Sequence, residues 1–250
     1  MVLPFNIGIE RGDERVRSIV ERSFSILEEI GNVRIPRRYV GAGTWKSGDF
    51  GSIPWYVRAA YNPRRRQVNS SELWRLLERE PWQMDRHYEL MILESDLYAP
   101  GTNFVFGETK RKILNTGVII EDNYYRSNKP LIRGMILSLN RIRRWYGKDW
   151  EIVLLGMLLH EEGHFYGLPS TSNPNFIRER DIRMKSRLDY GHCNDRRCIM
   201  EQVNTPGRMN LRDKVFFVAR ENPQWYCRYD WNALERNLNR LYSDLTSRLF

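Results

Sequence analysis

His160 and His164 stand four positions apart, with Glu161 between them, in the run His160-Glu161-Glu162-Gly163-His164. Four residues are just over one helical turn, so on a helix both imidazoles leave the same face and can reach one zinc ion at roughly 2.0–2.1 Å. Glu161 is then rotated from His160 by about 100°. That sets its carboxylate beside the metal, where it can take a proton from the water that zinc activates. His-Glu-x-x-His on a helix is therefore a pattern for metal-assisted hydrolysis, with Glu161 as general base. Histidine occurs only 4 times in the chain, so the match does not follow from a histidine-rich composition. The bland alternative is two histidines at a core edge with no metal.

A catalytic zinc keeps three protein ligands and an open position. Gly167 lies three residues beyond His164, as in the longer zinc-peptidase pattern whose glycine turns the chain sharply to deliver a third histidine. Ser170 stands where that histidine is due, and none follows until His192. The other histidine, His87, sits in the charged Asp85-Arg86-His87 and reads as a surface residue. His192 is thus the natural third ligand, with Asp189 as a carboxylate alternative.

These residues need a helix and a frame. Asp149 can cap an amphipathic helix from about Trp150 through His164 that buries Ile152, Leu155 and Leu159, closed by Gly167 with Pro169 beyond. Upstream, Asp13 can cap a helix carrying Val16, Ile19, Val20, Phe24, Leu27 and Ile30, ended by Gly31. Val33 to Val40 reads as an edge strand because Pro36 interrupts it. Residues 41–69 read as a long loop, and Ser70 to Glu80 as a helix stopped by Pro81. Strands are expected at Tyr88 to Glu94, Asn103 to Phe106 and Ile113 to Ile120. Helical spacing marks Leu131 to Tyr146, with Gly147 at its end, and Asn232 to Leu249, with Leu234, Leu238, Leu241, Leu245 and Leu249 on one face. The fold class is α+β.

A chain of 250 residues can bury a sizeable core as one domain, 1–250. Hydrophobic residues make up 41% without any run approaching the roughly 20 needed to span a bilayer, and the start lacks signal-peptide features, so a cytoplasmic protein with no membrane partner is expected. No cysteine precedes Cys193, which argues against an upstream thiolate that plugs the metal. The three cysteines, Cys193, Cys198 and Cys227, suit metal binding better than a secreted disulfide framework. A net charge of +9, with clusters at Arg64, Arg65, Arg66 and at Arg141, Arg143, Arg144, suggests a solvated basic surface over a nucleic-acid patch.

Beyond His192 the order is Gly191-His192-Cys193, then Cys198, then Met200. This resembles the archaemetzincin (archaelysin) family of metzincin zinc metallopeptidases, in which the third zinc-binding histidine is followed directly by a cysteine. A second cysteine and the methionine of the Met-turn come next. Glu94-Ser95-Asp96-Leu97-Tyr98-Ala99-Pro100-Gly101 and Phe104-Val105-Phe106-Gly107 are similar to the family's strands before the active-site helix. The resemblance covers roughly residues 88–230 and implies a zincin fold. Its upper lobe, 1–167, would hold a twisted mixed sheet, packed helices and the active-site helix. Its smaller lower lobe, 168–250, would hold the Met-turn at Met200 and the terminal helix, with an insertion at about 169–190 that reads as either a lid or a solvated helix.

The resemblance also implies peptide or protein substrates, with endo- and aminopeptidase action both open. It implies a second, structural zinc held by four cysteines, of which this chain offers Cys193, Cys198 and Cys227 with Asp230 in the fourth place. A Cys193–Cys198 disulfide or three buried thiols are the alternatives there, and core packing is the alternative for Met200. Two other readings stay open for the whole chain. One is a zinc-binding protein without peptidase activity that works through interactions; the other is a basic nucleic-acid module.

Overall fold

A computed structural model describes residues 3–40, 52–77, 87–110, 133–178, 191–203 and 209–246. In chain order the elements are β1 (Phe5–Ile9), α1 (Glu14–Gly31), β2 (Arg37–Val40), α2 (Ile53–Ala59), β3 (Tyr61–Asn62), β4 (Gln67–Asn69) and α3 (Ser70–Leu77). Then come β5 (Tyr88–Leu93), β6 (Leu97–Tyr98), β7 (Gly107–Lys110), β8 (Arg133–Ser138), α4 (Leu139–Tyr146) and α5 (Trp150–Phe165). The rest is β9 (Phe176–Arg178), β10 (Gly191–Cys193), α6 (Leu211–Glu221) and α7 (Arg228–Thr246).

Five strands in the order β2-β1-β5-β8-β7 make the main sheet. β2, β1, β5 and β8 run parallel, while β7 is antiparallel on the edge. Parallel strands are buried on both faces. Here Phe5, Ile7, Leu90, Ile92, Met135 and Leu137 share a core with α1, α5 and α7. Met91, Leu93 and Ile136 point the other way, against Ile53, Val57, Leu73 and Trp74 of α2 and α3. The β8 backbone nests against β5 at Gly134, where an added Cβ would overlap the Glu89 carbonyl.

α1 starts as expected, with the Asp13 carboxylate accepting from the Arg15 N–H, but the left-handed residue that ends it is Asn32 and not Gly31, which is still helical. β2 is an edge strand but spans only Arg37–Val40. Several expectations need correction. The loop reading of 41–69 misses α2, β3 and β4 within it; Ser52 caps α2 by accepting from the Trp55 N–H, a start signal hidden among glycines and prolines. Asn103 to Phe106 is not a strand, and pairing begins instead at Gly107. Leu131 to Tyr146 is not one helix: β8 fills Arg133–Ser138 before α4. An apolar run buried on both faces has no period of two, so helical spacing matched it by accident.

α5 is not amphipathic. Val153 through Leu159 are all buried, while Ile152 is only half-buried. A helix apolar all round belongs inside the protein. Asp149 makes no side-chain cap and instead accepts from Arg212 Nε at 2.8 Å. His87 is buried rather than on the surface, its Nε2 2.9 Å from Glu89 Oε2. Arg141 pairs with Asp96, and Arg143 with Glu94 and Asp13, so two of the clustered arginines are committed within the chain. The strand expected at Ile113 to Ile120, the end of α3 at Pro81, and Leu249 lie outside the described residues, as does the side chain of Leu245. No described helix is long and apolar enough to cross a membrane.

Because the Glu89 carbonyl occupies the space where a Gly134 side chain would go, Gly134→Ala is expected to separate β5 from β8. A loss exceeding about 3 kcal/mol or failure to fold, read by thermal unfolding, is the expected outcome, since overpacking against backbone has no soft side chain to yield.

Candidate active site

The C-terminal end of α5 carries His160, Glu161 and His164. Its end is held by two backbone bonds, Gly167 N–H to the His164 carbonyl at 3.0 Å and Leu168 N–H to the Gly163 carbonyl at 2.8 Å. This is a Schellman turn, and Gly167, at φ 86°, supplies the left-handed residue it needs. The turn also aims the Leu168 carbonyl back at the helix, where it lies 3.0 Å from His164 Nδ1. His160 Nδ1 lies 2.8 Å from the Ile199 carbonyl. A carbonyl can only accept, so each Nδ1 carries a proton and, in the neutral ring, Nε2 presents a lone pair. Those two Nε2 atoms face one another across 3.1 Å.

His192 joins them from β10, its ring 5.3 Å from that of His160 and 5.1 Å from that of His164, centroid to centroid. One ligand atom from each of the three lies within 4.8 Å of the other two. β10 is held there by β9, which pairs His192 with Ile177 and Cys193 with Phe176. Gly191 is needed because a Cβ would overlap the Ile177 carbonyl. The described part of the expected insertion at 169–190 thus includes the strand that supports the third histidine. Asp189 lies outside the described residues.

Two Nε2 lone pairs turned toward one another repel unless a cation lies between them, and His192 brings a third ring nitrogen to the same place. The donor set fits zinc, and the carbonyl partners on Nδ1 are the outer contacts that orient metal-binding imidazoles.

The two neighbouring glutamates are sorted by their surroundings. Glu162 points away into the interface with α1, where Ser23 Oγ donates to it at 2.8 Å and burial pushes its carboxyl up to about 8. Glu161 points to the edge strand. Thr109 Oγ1 lies 2.5 Å from Glu161 Oε2, and a Cβ on Gly107 would stand 2.8 Å from Glu161 Oε1. Gly107 and Thr109, two apart on β7, therefore flank the Glu161 carboxylate from one face of the strand. Neither was found from the sequence, because nothing in a glycine and a threonine two residues apart signals that role.

Below the helix the chain from Cys193 to Glu201 folds back on itself. Cys193 N–H donates to the Met200 carbonyl at 2.9 Å, and Ile199 N–H to the Trp225 carbonyl at 2.7 Å. Met200 is fully buried against Gly163, whose missing side chain its sulfur fills. Lys214 of α6, also fully buried, donates from Nζ to Glu201 Oε2 at 2.5 Å and to the Arg196 carbonyl at 2.6 Å. A buried pair costs desolvation, but these bonds fix the loop to α6.

Cys193, Cys198, Cys227 and Asp230 form a second cluster, all buried, with one ligand atom of each within 4.8 Å of the rest. The three cysteines are thiols, so the Cys193–Cys198 disulfide is not formed. Burial holds the Cys198 thiol well above its ordinary range and, with Cys227 beside it, raises the Asp230 carboxyl to about 7. Crowded acids that resist ionisation together are a donor set a divalent cation would relieve.

No family model matches the chain. An archaemetzincin of Methanopyrus kandleri is 27% identical over 184 residues, 72% of this chain and 73% of that protein. The crystal structure of archaemetzincin from the same organism matches with a TM-score of 0.54 at 22% identity, over 96% of this chain and 97% of the other. The resemblance is to the archaemetzincins. The archaemetzincin of Archaeoglobus fulgidus, solved with malonate, matches at TM-score 0.50 and 19% identity over 92% of this chain and 99% of its own. A zinc-dependent peptidase from Methanocorpusculum labreanum gives TM-score 0.50 at 17% identity over the same shares. The mixed α and β fold is thus that of the archaemetzincin structures.

Gly163→Ala tests the packing under the histidines. Alanine gains about 1 kcal/mol of helix propensity, but its Cβ would drive into the buried Met200, an overpacking of about 1–3 kcal/mol. Thermal unfolding is expected to show a net loss; a more stable variant would mean that Met200 is not held.

Proposed function

We propose that this chain is a zinc-dependent metallopeptidase of archaemetzincin type acting on peptide or protein substrates. The observation that carries the reading is the pair of imidazoles whose Nδ1 atoms are each tied to a carbonyl while their Nε2 atoms converge at 3.1 Å. His160, His164 and His192 would hold the catalytic zinc. When bound, zinc supplies Lewis-acid activation of a water molecule and polarises the scissile carbonyl.

Glu161 then acts as general base, taking the water's proton and passing it to the leaving amine. Gly107 and Thr109 keep its carboxylate at the helix end, and β7, as the edge of the sheet, borders that carboxylate. Met200 forms the floor beneath the histidines. Cys193, Cys198, Cys227 and Asp230 would hold a second, structural zinc. In this reading residues 1–250 are one domain, with the main sheet and α5 in an upper lobe, 1–167, and the loop of Met200 with α6 and α7 in a lower one, 168–250.

Glu161→Gln keeps the shape of the side chain and removes the base. Hydrolysis of a peptide library is expected to fall by on the order of 10²–10⁴-fold with zinc content unchanged; an unaltered rate overturns the mechanism. Zinc bound by the wild type without any hydrolysis would instead favour a protein acting through interactions.

Metal analysis separates the two sites. The wild type is expected to bind two zinc ions and His192→Ala and Cys227→Ser one each. A His192→Ala variant with unchanged affinity at the histidines would mean the third ligand lies elsewhere.

A further inference from the structure

We infer that Asn173 is a positioning residue that makes Asp230 a one-oxygen metal ligand, so that a carboxylate can occupy the place of a fourth thiolate. The inference rests on reading the cluster of Cys193, Cys198, Cys227 and Asp230 as a metal site.

Exchanging a thiolate for a carboxylate creates a problem that thiolates do not have. A thiolate offers one ligating atom, whereas a carboxylate offers two oxygens, and in a buried site the second must find a donor or remain desolvated at a cost. Left unheld, it can also swing onto the metal and disturb a tetrahedral set. Asp230 is fully buried on the first turn of α7. Its Oδ2 faces the cluster, 3.2 Å from Cys198 Sγ and 3.6 Å from Cys227 Sγ. Its Oδ1 accepts from Asn173 Nδ2 at 2.9 Å. One oxygen is thus presented and the other is held back.

The orientation of the Asn173 amide follows from its other end. Asn175 N–H donates to Asn173 Oδ1 at 2.9 Å, and only the oxygen can accept that bond. The NH₂ group therefore faces the cluster, where it also lies 3.7 Å from Cys193 Sγ and from Cys227 Sγ. Asn173 is itself buried, at 4% exposure, so its donors have no access to bulk water. It is fixed by backbone bonds from Asn173 N–H to the Ser170 carbonyl and from Phe176 N–H to its own carbonyl, both 2.9 Å. All of this lies between Gly167 and Gly191, in the segment that separates the histidine helix from the third histidine. That segment brings the donor which the aspartate requires.

The test uses the full chain with cobalt(II) as probe, because thiolate-to-cobalt charge-transfer absorption reports the cysteine cluster and not the histidines. Asn173→Leu keeps the volume and removes the donor; Asn173→Ala serves if the leucine variant is not recovered folded. Either is expected to weaken cobalt binding at the cluster, measured by chelator competition, by about 10–100-fold, as loss of an outer contact to a ligand does. Asp230→Cys removes the second oxygen, so in that background Asn173→Leu is expected to change the affinity by less than about threefold, well below that outer-contact range. An equal loss in both backgrounds would mean that Asn173 only props the segment, and wild-type affinity in Asn173→Leu would mean that it does nothing for Asp230; both overturn the inference. No thiolate–cobalt absorption in the wild type would overturn the metal reading of the cluster itself, and the inference with it.

Discussion

A helix that is apolar on every side must be enclosed on every side, and α5 is packed against α1, α4, α6 and the β7–β8 edge of the sheet. That enclosure governs the rest. Polar groups on the enclosed part of such a helix have little access to water, and partners from elsewhere in the chain meet them. Ser23 from α1 meets Glu162, Thr109 from β7 meets Glu161, and carbonyls of Leu168 and Ile199 meet the two histidines. Four separate stretches of chain thereby set the orientation of residues lying within little more than one turn of helix.

The same logic explains the loop that follows β10. Its backbone is folded tightly enough to aim the Ile199 carbonyl at His160 and set Met200 under Gly163. Cys198, Ile199 and Met200 of that loop are buried in the main core. A buried ammonium ties down its ends, Lys214 bonding both to Glu201 and to a backbone carbonyl. The helix α6 that carries Lys214 owes its place to Val215 and Val218 on its buried side.

Much of the site was legible in the sequence because it depends on one helix. The spacing of His160, Glu161 and His164 requires only helical geometry, and Gly167 requires only the rule for ending a helix; both are met by α5. The Gly191-His192-Cys193 order pointed to residues that the fold brings to two neighbouring clusters. What stayed hidden is long-range pairing. Gly107, Thr109, Asn173 and the Lys214–Glu201 pair act on residues far away in sequence, and no local pattern encodes those distances. The misreading of β8 as helix has the same origin, since whether an apolar run is buried on two faces is decided by neighbouring strands. His87 looked solvent-exposed for want of knowing that Glu89 would be buried beside it.

β10 is three residues long, and consecutive side chains of a strand point to opposite sides. His192 and Cys193 accordingly belong to different clusters while sharing a peptide bond. The strand is a partition one backbone thick, with a pocket of imidazoles on one side and a pocket of thiols and a carboxyl on the other. No packed layer lies between them to absorb displacement, so a rotation of β10 that lengthens a contact in one pocket must alter the geometry of the other. The two clusters are thereby tied to one another through β10, which β9 holds in place.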